Sequence, residues 1–190
     1  MVRLFIALEA DPDFSLTLWR DLEPLRRVHP EFRWIGRDQY HGTLRFLGET
    51  EEGYVDSLIR SMEKVMDTSS SGPIPFVLGK LTTFPPRRPA SVLALLFSQG
   101  EERLMELERS LSAALEQRAV GERIPIRAEK GRPFRAHVTV ARSGRVPLVL
   151  SPEERDLFIR TGGVFTHLTL FSSSLQKGGP IYHPVARRLL

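Results

Sequence analysis

Apolar residues recur along this chain in two rhythms. Residues 2–9 form an apolar run that breaks off at Glu9 and Asp11, too short for a secretory leader with its flanks, and a first β-strand is predicted there. Asp11-Pro12 then offers an N-cap followed by proline at the first helical position. Phe14, Leu18, Leu22 and Leu25 follow at three- and four-residue spacings, which predicts one helix to about residue 28. A second helix is predicted over 51–67, with Val55, Leu58, Ile59, Met62 and Val65 on one side, and a third over 101–118, along Leu104, Leu107, Leu111 and Leu115. Ser151-Pro152-Glu153-Glu154 reads as the start of another. Short strands are predicted at 32–35, 41–47, 76–84, 91–97, 136–141, 165–172 and 181–186, separated by the turn segments TSSSGPIP, FPPRRP and QKGGP and by a Gly/Pro/Arg-rich loop over 121–135. Strands and helices mix without a βαβ rhythm, and several strand pairs are close enough for antiparallel pairing. The expected class is α+β: a bilobal, pseudo-twofold pair of antiparallel sheets with flanking helices and a central groove, all within one domain over 1–190.

Composition narrows the picture modestly. No stretch approaches the roughly 20 apolar residues of a spanning helix, so no membrane association is expected. The absence of cysteine removes disulfides and thiolate chemistry and makes a reducing cytoplasm the default. The 27 basic residues include only four lysines. An arginine bias suits bidentate contact with phosphate, and a GC-rich genome would produce the same bias. The loop over 121–135 carries five basic and two acidic residues and, with Arg87-Arg88, could attract RNA phosphates through long-range charge.

The candidate chemistry lies in two segments, His41-Gly42-Thr43-Leu44 and His137-Val138-Thr139-Val140. Residues i and i+2 of a strand share a face, so each segment presents an imidazole beside a hydroxyl while Leu44 and Val140 turn to a core. Threonine can donate to a non-bridging phosphate oxygen, and histidine can exchange a proton with a bridging oxygen or a water. Two such units facing one phosphorus supply an acid and a base for in-line displacement without a metal or cofactor. Chance alone would give this chain about 0.3 such pairs, and it holds three. The third is His167-Leu168-Thr169-Leu170, and spacing alone leaves any two of the three open. His41 and His137 occupy corresponding places in the two halves, whereas His167 follows His137 by only 30 residues.

The segments RLFIALE, HGTLRFLGE, PFRAHVTVAR, and LTLFSSSL followed by GGPIY resemble, in order along nearly the whole chain, the bacterial and archaeal RNA 2′,3′-cyclic phosphodiesterases. These are also called 2′-5′ RNA ligases and belong to the two-histidine phosphoesterases. The resemblance implies one histidine–threonine pair per lobe, with His41 as proton donor, His137 as proton acceptor, and Thr43 and Thr139 as phosphate anchors. It implies hydrolysis of RNA 2′,3′-cyclic phosphate ends, tRNA fragments among them, to 2′-phosphates, with 2′-5′ ligation as the reverse reaction, in a monomer. No catalytic histidine is implied at His167. Two positions depart from the pattern. Gly42 replaces a larger apolar residue and loosens the strand at the site, and Ala136 replaces the proline that commonly precedes the second histidine.

Arg142 resembles a family arginine that holds phosphate, yet strict alternation puts it opposite His137 and Thr139, so it needs a strand end or a bulge to reach them. Arg45 falls on the His41 face by alternation, as a charge at the groove rim. Phe5 and Trp34 could stack on a base, with core packing as their other use. His29 and His183, each before proline, read as loop or strand-end residues. Two further readings keep the same residues: a non-catalytic RNA-end-binding module, and a phosphodiesterase for a small cyclic nucleotide phosphate.

Overall fold

The computed structural model describes residues 1–68, 72–86, 89–126, 133–144, 147–176 and 179–190. Arg87-Arg88, most of the basic stretch in the 121–135 loop and part of the QKGGP turn lie outside the described residues. The elements in order are β1 (Val2–Ala10), α1 (Pro12–Asp21), α2 (Glu23–Val28), β2 (Arg33–Trp34), β3 (His41–Thr50), α3 (Val55–Thr68), β4 (Ile74–Phe84), β5 (Val92–Gln99), α4 (Glu101–Glu122), β6 (His137–Arg142), α5 (Pro152–Arg155), β7 (Gly162–Gln176) and β8 (Gly179–Leu189). No helix among the described residues is long and apolar enough to cross a membrane.

Local signals explain most of these boundaries. Asp11 caps α1 by accepting from the Phe14 amide at 2.8 Å, while its other oxygen accepts from the Val164 amide at 2.8 Å and ties the helix start to β7. The single helix expected to residue 28 is two. It breaks at Leu22, because Pro24 has no amide proton to give and its ring crowds the carbonyl one turn back. Ser151 and Glu154 form a reciprocal capping box on α5.

Among the described residues all strand pairings are antiparallel, in keeping with an α+β fold. One group runs β3-β1-β7-β8 and the other β6-β5-β4, with β2 beyond β6. The groups do not follow the halves of the sequence, since β7 and β8 join the N-terminal strands. β7 is long enough to serve both groups: Gly162–Phe165 pairs with β4, and from Phe165 onward it pairs with β1. The groups meet again where β3 touches β6, at the pair Gly42–Val138. Leu4, Ile6 and Leu8 of β1 point into the core with Leu168 and Leu170, under helices α3 and α4. The alternate residues Phe5, Ala7 and Glu9 face the other way, and that second face carries the site.

Candidate active site

The pairing of Gly42 with Val138 fixes the geometry of the two motifs. In an antiparallel pair the residues flanking such a contact oppose each other, so His41 stands across from Thr139 and Thr43 across from His137. All four side chains share one face. Gly42 and Val138 point to the other face, into the core, where the Phe165 ring fills the space beside Gly42: a methyl there would meet it at 3.1 Å. The glycine is therefore matched to a bulky neighbour, which gives the departure from the family pattern a packing reason. Ala136 is likewise buried.

Both motif strands carry a bulge at the same place. On β6, Thr139 pairs with Ala94 and Ala141 with Leu93, so Val140 is an extra residue. On β3, Thr43 pairs with Ala7 and Arg45 with Ile6, so Leu44 is the extra one. Each bulge advances the alternation by one residue. Arg142 is thereby returned to the face of His137 and Thr139, meeting the condition that its position required. The same shift corrects the expectation for Arg45. It is turned away from the His41 face and buried, with Nη1 donating to Ser112 Oγ at 3.2 Å and Nη2 to Glu116 at 3.1 Å on α4. The residue that takes its place on the groove face is Phe46, at the position matching Arg142.

Each histidine is held by the same contact. His41 Nδ1 lies 2.7 Å from the Gln39 carbonyl, and His137 Nδ1 lies 2.7 Å from the Arg135 carbonyl. A carbonyl only accepts, so both Nδ1 atoms donate and both Nε2 atoms keep a lone pair free to exchange a proton. The surroundings of the two rings differ. Phe5, Phe171 and Tyr182 surround His41, with Tyr182 edge-on at 5.3 Å. Phe84 packs beside His137 at 4.9 Å. Burial pushes His41 down to about 4, helped by the charges of Arg142 and His137 and opposed by the Gln39 carbonyl and Glu9. Burial also lowers His137, with Arg142 and Arg135 adding to the effect and the Arg135 carbonyl opposing it. At neutral pH both imidazoles are neutral in the free protein.

Arg142 acts electrostatically on both rings. Its Nε is buried with no hydrogen-bond partner among the described residues, an unmet donor beside two imidazoles and suited to an anion. Arg33 pairs with Arg142 through β2. The two arginines line a cavity of about 340 Å³ with Arg3, Phe46, His41 and Tyr182. Phe5 is on its wall as well, whereas Trp34 packs against the core and donates from its indole to the His29 carbonyl at 2.9 Å. Phe46, Tyr182 and Arg33 were not singled out from the sequence. Tyr182 lies in the GGPIY segment, and Arg33 reaches the site only through the β2–β6 pairing.

The third motif is built differently. Thr169 is fully buried, and its hydroxyl donates to Glu9. His167 Nδ1 lies 3.4 Å from Arg187 Nη2, which can only donate, so Nδ1 is an acceptor and Thr166 Oγ1 points to it at 2.8 Å. His167 pairs through Glu9 with His41 but stands two strands away, about 10 Å at ordinary strand spacing. It belongs to an adjoining cavity and not to the His41–His137 cluster. His29 turns out to have partners: it bridges Glu31 at 3.0 Å and Glu154 at 2.8 Å, tying the end of α2 to α5.

Comparison with known proteins agrees with this architecture. Residues 14–157 match the model of the 2′-5′ RNA ligase superfamily. An RNA 2′,3′-cyclic phosphodiesterase of Geobacillus stearothermophilus is 29% identical over 158 residues, which cover 80% of this chain and 46% of the relative. The chain thus spans about half the length of the curated relative it matches. Among solved structures, E. coli LigT complexed with 3′-AMP superposes with a TM-score of 0.75 at 23% identity, covering 100% of this chain and 98% of that one. The protein TT0787 of Thermus thermophilus gives 0.79 at 23% identity, covering 99% and 97%. Both show that the fold is shared from end to end.

Proposed function

The chain belongs to the 2′-5′ RNA ligase superfamily, and from that membership and its paired histidines we propose that it hydrolyses 2′,3′-cyclic phosphates at RNA ends to 2′-phosphates. The observation that carries the proposal is the pairing of Gly42 with Val138, which gathers two imidazoles and two threonine hydroxyls on one face. Thr43 and Thr139 donate to the non-bridging oxygens, and Arg142 balances their charge. His137 Nε2 takes a proton from water as the water oxygen bonds to phosphorus. The bond from phosphorus to O3′ breaks, and O3′ leaves with the electron pair and takes a proton from His41 Nε2. The division of roles is the one that the family resemblance implies: Arg142 disfavours a proton on both rings, Arg135 adds to this at His137, and Glu9 opposes it at His41. The anionic substrate supplies what the free protein lacks, since a phosphate beside two depressed imidazoles raises their affinity for a proton. With the 5′-hydroxyl of a second RNA attacking phosphorus in place of water, the same departure of O3′ forms a 2′-5′ linkage, and the reverse path reopens it.

The test is product analysis on a 2′,3′-cyclic nucleotide with ³¹P NMR, with and without EDTA. A 2′-phosphate formed equally in both is expected. A 3′-phosphate would overturn the choice of bond, loss of turnover on chelation would overturn the metal-free scheme, and no ring opening at all would leave an end-binding module.

A further inference from the structure

The face that carries His41 continues beyond the paired motifs. Glu9 lies between His41 and His167 in cross-strand register, so the three side chains stand in a row. Past that row is a cavity of about 570 Å³ walled by Arg37, His41, Thr166, His167, Tyr182 and Arg187. His41 and Tyr182 also line the 340 Å³ cavity that holds Arg142. A phosphate at His41 therefore has a chamber on either side, each within the roughly 300–1,000 Å³ of small-molecule sites.

We propose that the second chamber holds the nucleotide preceding the cyclic phosphate, with the connecting phosphodiester beside Arg37, His167 and Arg187. An oligonucleotide end is then preferred over a free cyclic mononucleotide, which fills only the first chamber. This rests on the function proposed above and specifies its substrate class. The two chambers differ in chemistry in the way such a ligand needs. The first offers the apolar surfaces of Phe46, Leu175 and Tyr182 to a base and ribose. The second gathers donors. Arg187 gives Nε to Glu9 at 3.0 Å and reaches His167 Nδ1 from Nη2 at 3.4 Å, which leaves its Nη1 donors for a ligand. His167 has Nδ1 occupied as an acceptor, from Thr166 at 2.8 Å and beside Arg187 Nη2 at 3.4 Å, so its Nε2 carries the proton and donates. Arg37 is 61% exposed, with Asp38 at 3.6 Å. Glu9 also borders this chamber, but one of its oxygens is engaged by Thr169 and Arg187. The third histidine–threonine segment, which the proposed reaction leaves idle, acquires a use: Thr169 anchors Glu9, and His167 faces the ligand chamber.

The experiment compares kcat/KM for a dinucleotide ending in 2′,3′-cyclic phosphate with that for the cyclic mononucleotide, in wild type, Arg37→Ala, His167→Ala and Arg187→Ala. A charge-assisted contact predicts a wild-type ratio of about tenfold or more in favour of the dinucleotide. The ratio should fall toward one in the variants and with added salt. Damage to the fold or to His41 lowers both substrates and leaves the ratio alone, so an unchanged ratio in Arg37→Ala and Arg187→Ala overturns the inference, as does a wild-type ratio of one. Calorimetric binding of a 3′-phosphorylated dinucleotide against a nucleoside 3′-phosphate reads the same chamber without turnover. Tighter dinucleotide binding with neither cyclic substrate hydrolysed would refute the proposed reaction and keep the chamber, whereas equal binding would refute the chamber.

Discussion

Strands β3 and β6 are built to one plan and furnished differently. Both place a histidine and a threonine on the groove face, both bulge at the residue after the threonine, and both hold Nδ1 on the carbonyl two residues back. Beyond that frame they diverge. His41 sits among aromatic rings with Glu9 near, and His137 sits beside Phe84 with Arg135 and Arg142. The first position after the bulge that returns to the groove is Phe46 on one strand and Arg142 on the other. At the centre, Gly42 faces Val138. The lesson is that the backbone duplicates a geometry, and the two copies then differ only in their neighbours.

The largest effect should come from removing either ring. His41→Ala and His137→Ala are each expected to lower kcat by about 10²–10⁴ on a 2′,3′-cyclic nucleotide. A leaving group that needs no proton separates them. On bis(p-nitrophenyl) phosphate, His41→Ala should recover most of the loss, while His137→Ala should not. Equal deficits on both substrates would show that the two rings do not divide the roles as proposed.

The post-bulge positions should give the next largest contrast. Arg142→Ala removes a charge that acts on both histidines and is expected to raise KM about 10- to 100-fold, by the 1.5–3 kcal/mol of a hydrogen bond to a charged group. Arg142→Lys should recover little, because an ammonium lacks the planar fork. Phe46→Ala should cost under tenfold, since Phe5 and Tyr182 remain on the wall. Kinetics in which Phe46 matters more than Arg142 would reverse the assignment.

The pH dependence follows from the direction of the two shifts. Both imidazoles titrate below their ordinary value of 6.5, His41 near 4. A productive complex needs one proton shared between the pair and substrate, and the singly protonated free enzyme becomes scarcer as pH rises above both values. The kcat/KM profile should thus be a bell centred below 6.5, falling about tenfold per unit on its alkaline limb. An optimum above pH 7.5 would contradict it. Stability moves the other way. Between about 6.5 and 4 the unfolded chain binds more protons at His41 and His137 than the folded one, so the contribution of these two groups is complete above 6.5 and declines as pH falls through that window. His41→Gln should flatten this decline in urea titrations taken at successive pH values.

How far the sequence could be read depended on the range of the forces involved. The α+β class and the histidine–threonine faces follow from local periodicity, and the pairing of His41 with His137 is visible in motif context. The break at Pro24 is equally local, and proline alone announces it. Arg45 is another matter. Its direction depends on the bulge at Leu44, which is set by how β3 registers on β1 with α4 behind, and no local pattern in HGTLRF announces it. HVTVAR does carry a hint, two adjacent apolar residues where alternation predicts one. Phe46, Arg33, Glu9 and Tyr182 come to the site from four strands, through register alone.

The smallest expected effect concerns the centre of the comparison. A glycine in the strand under the reacting groups reads in sequence as a weakness, yet Gly42 is filled from behind by Phe165, which also stacks on Phe76 at 4.1 Å. If the two are a matched pair, Gly42→Ala should cost about 1 kcal/mol by forcing the ring to give a few tenths of an ångström. Phe165→Leu alone should cost more by leaving space in the core, roughly 1–3 kcal/mol. The double variant should cost less than the sum, because the leucine makes room for the new methyl. Urea unfolding of the four proteins measures this coupling directly. Strict additivity would mean that Phe165 does not support the glycine, and the looseness first read into Gly42 would stand.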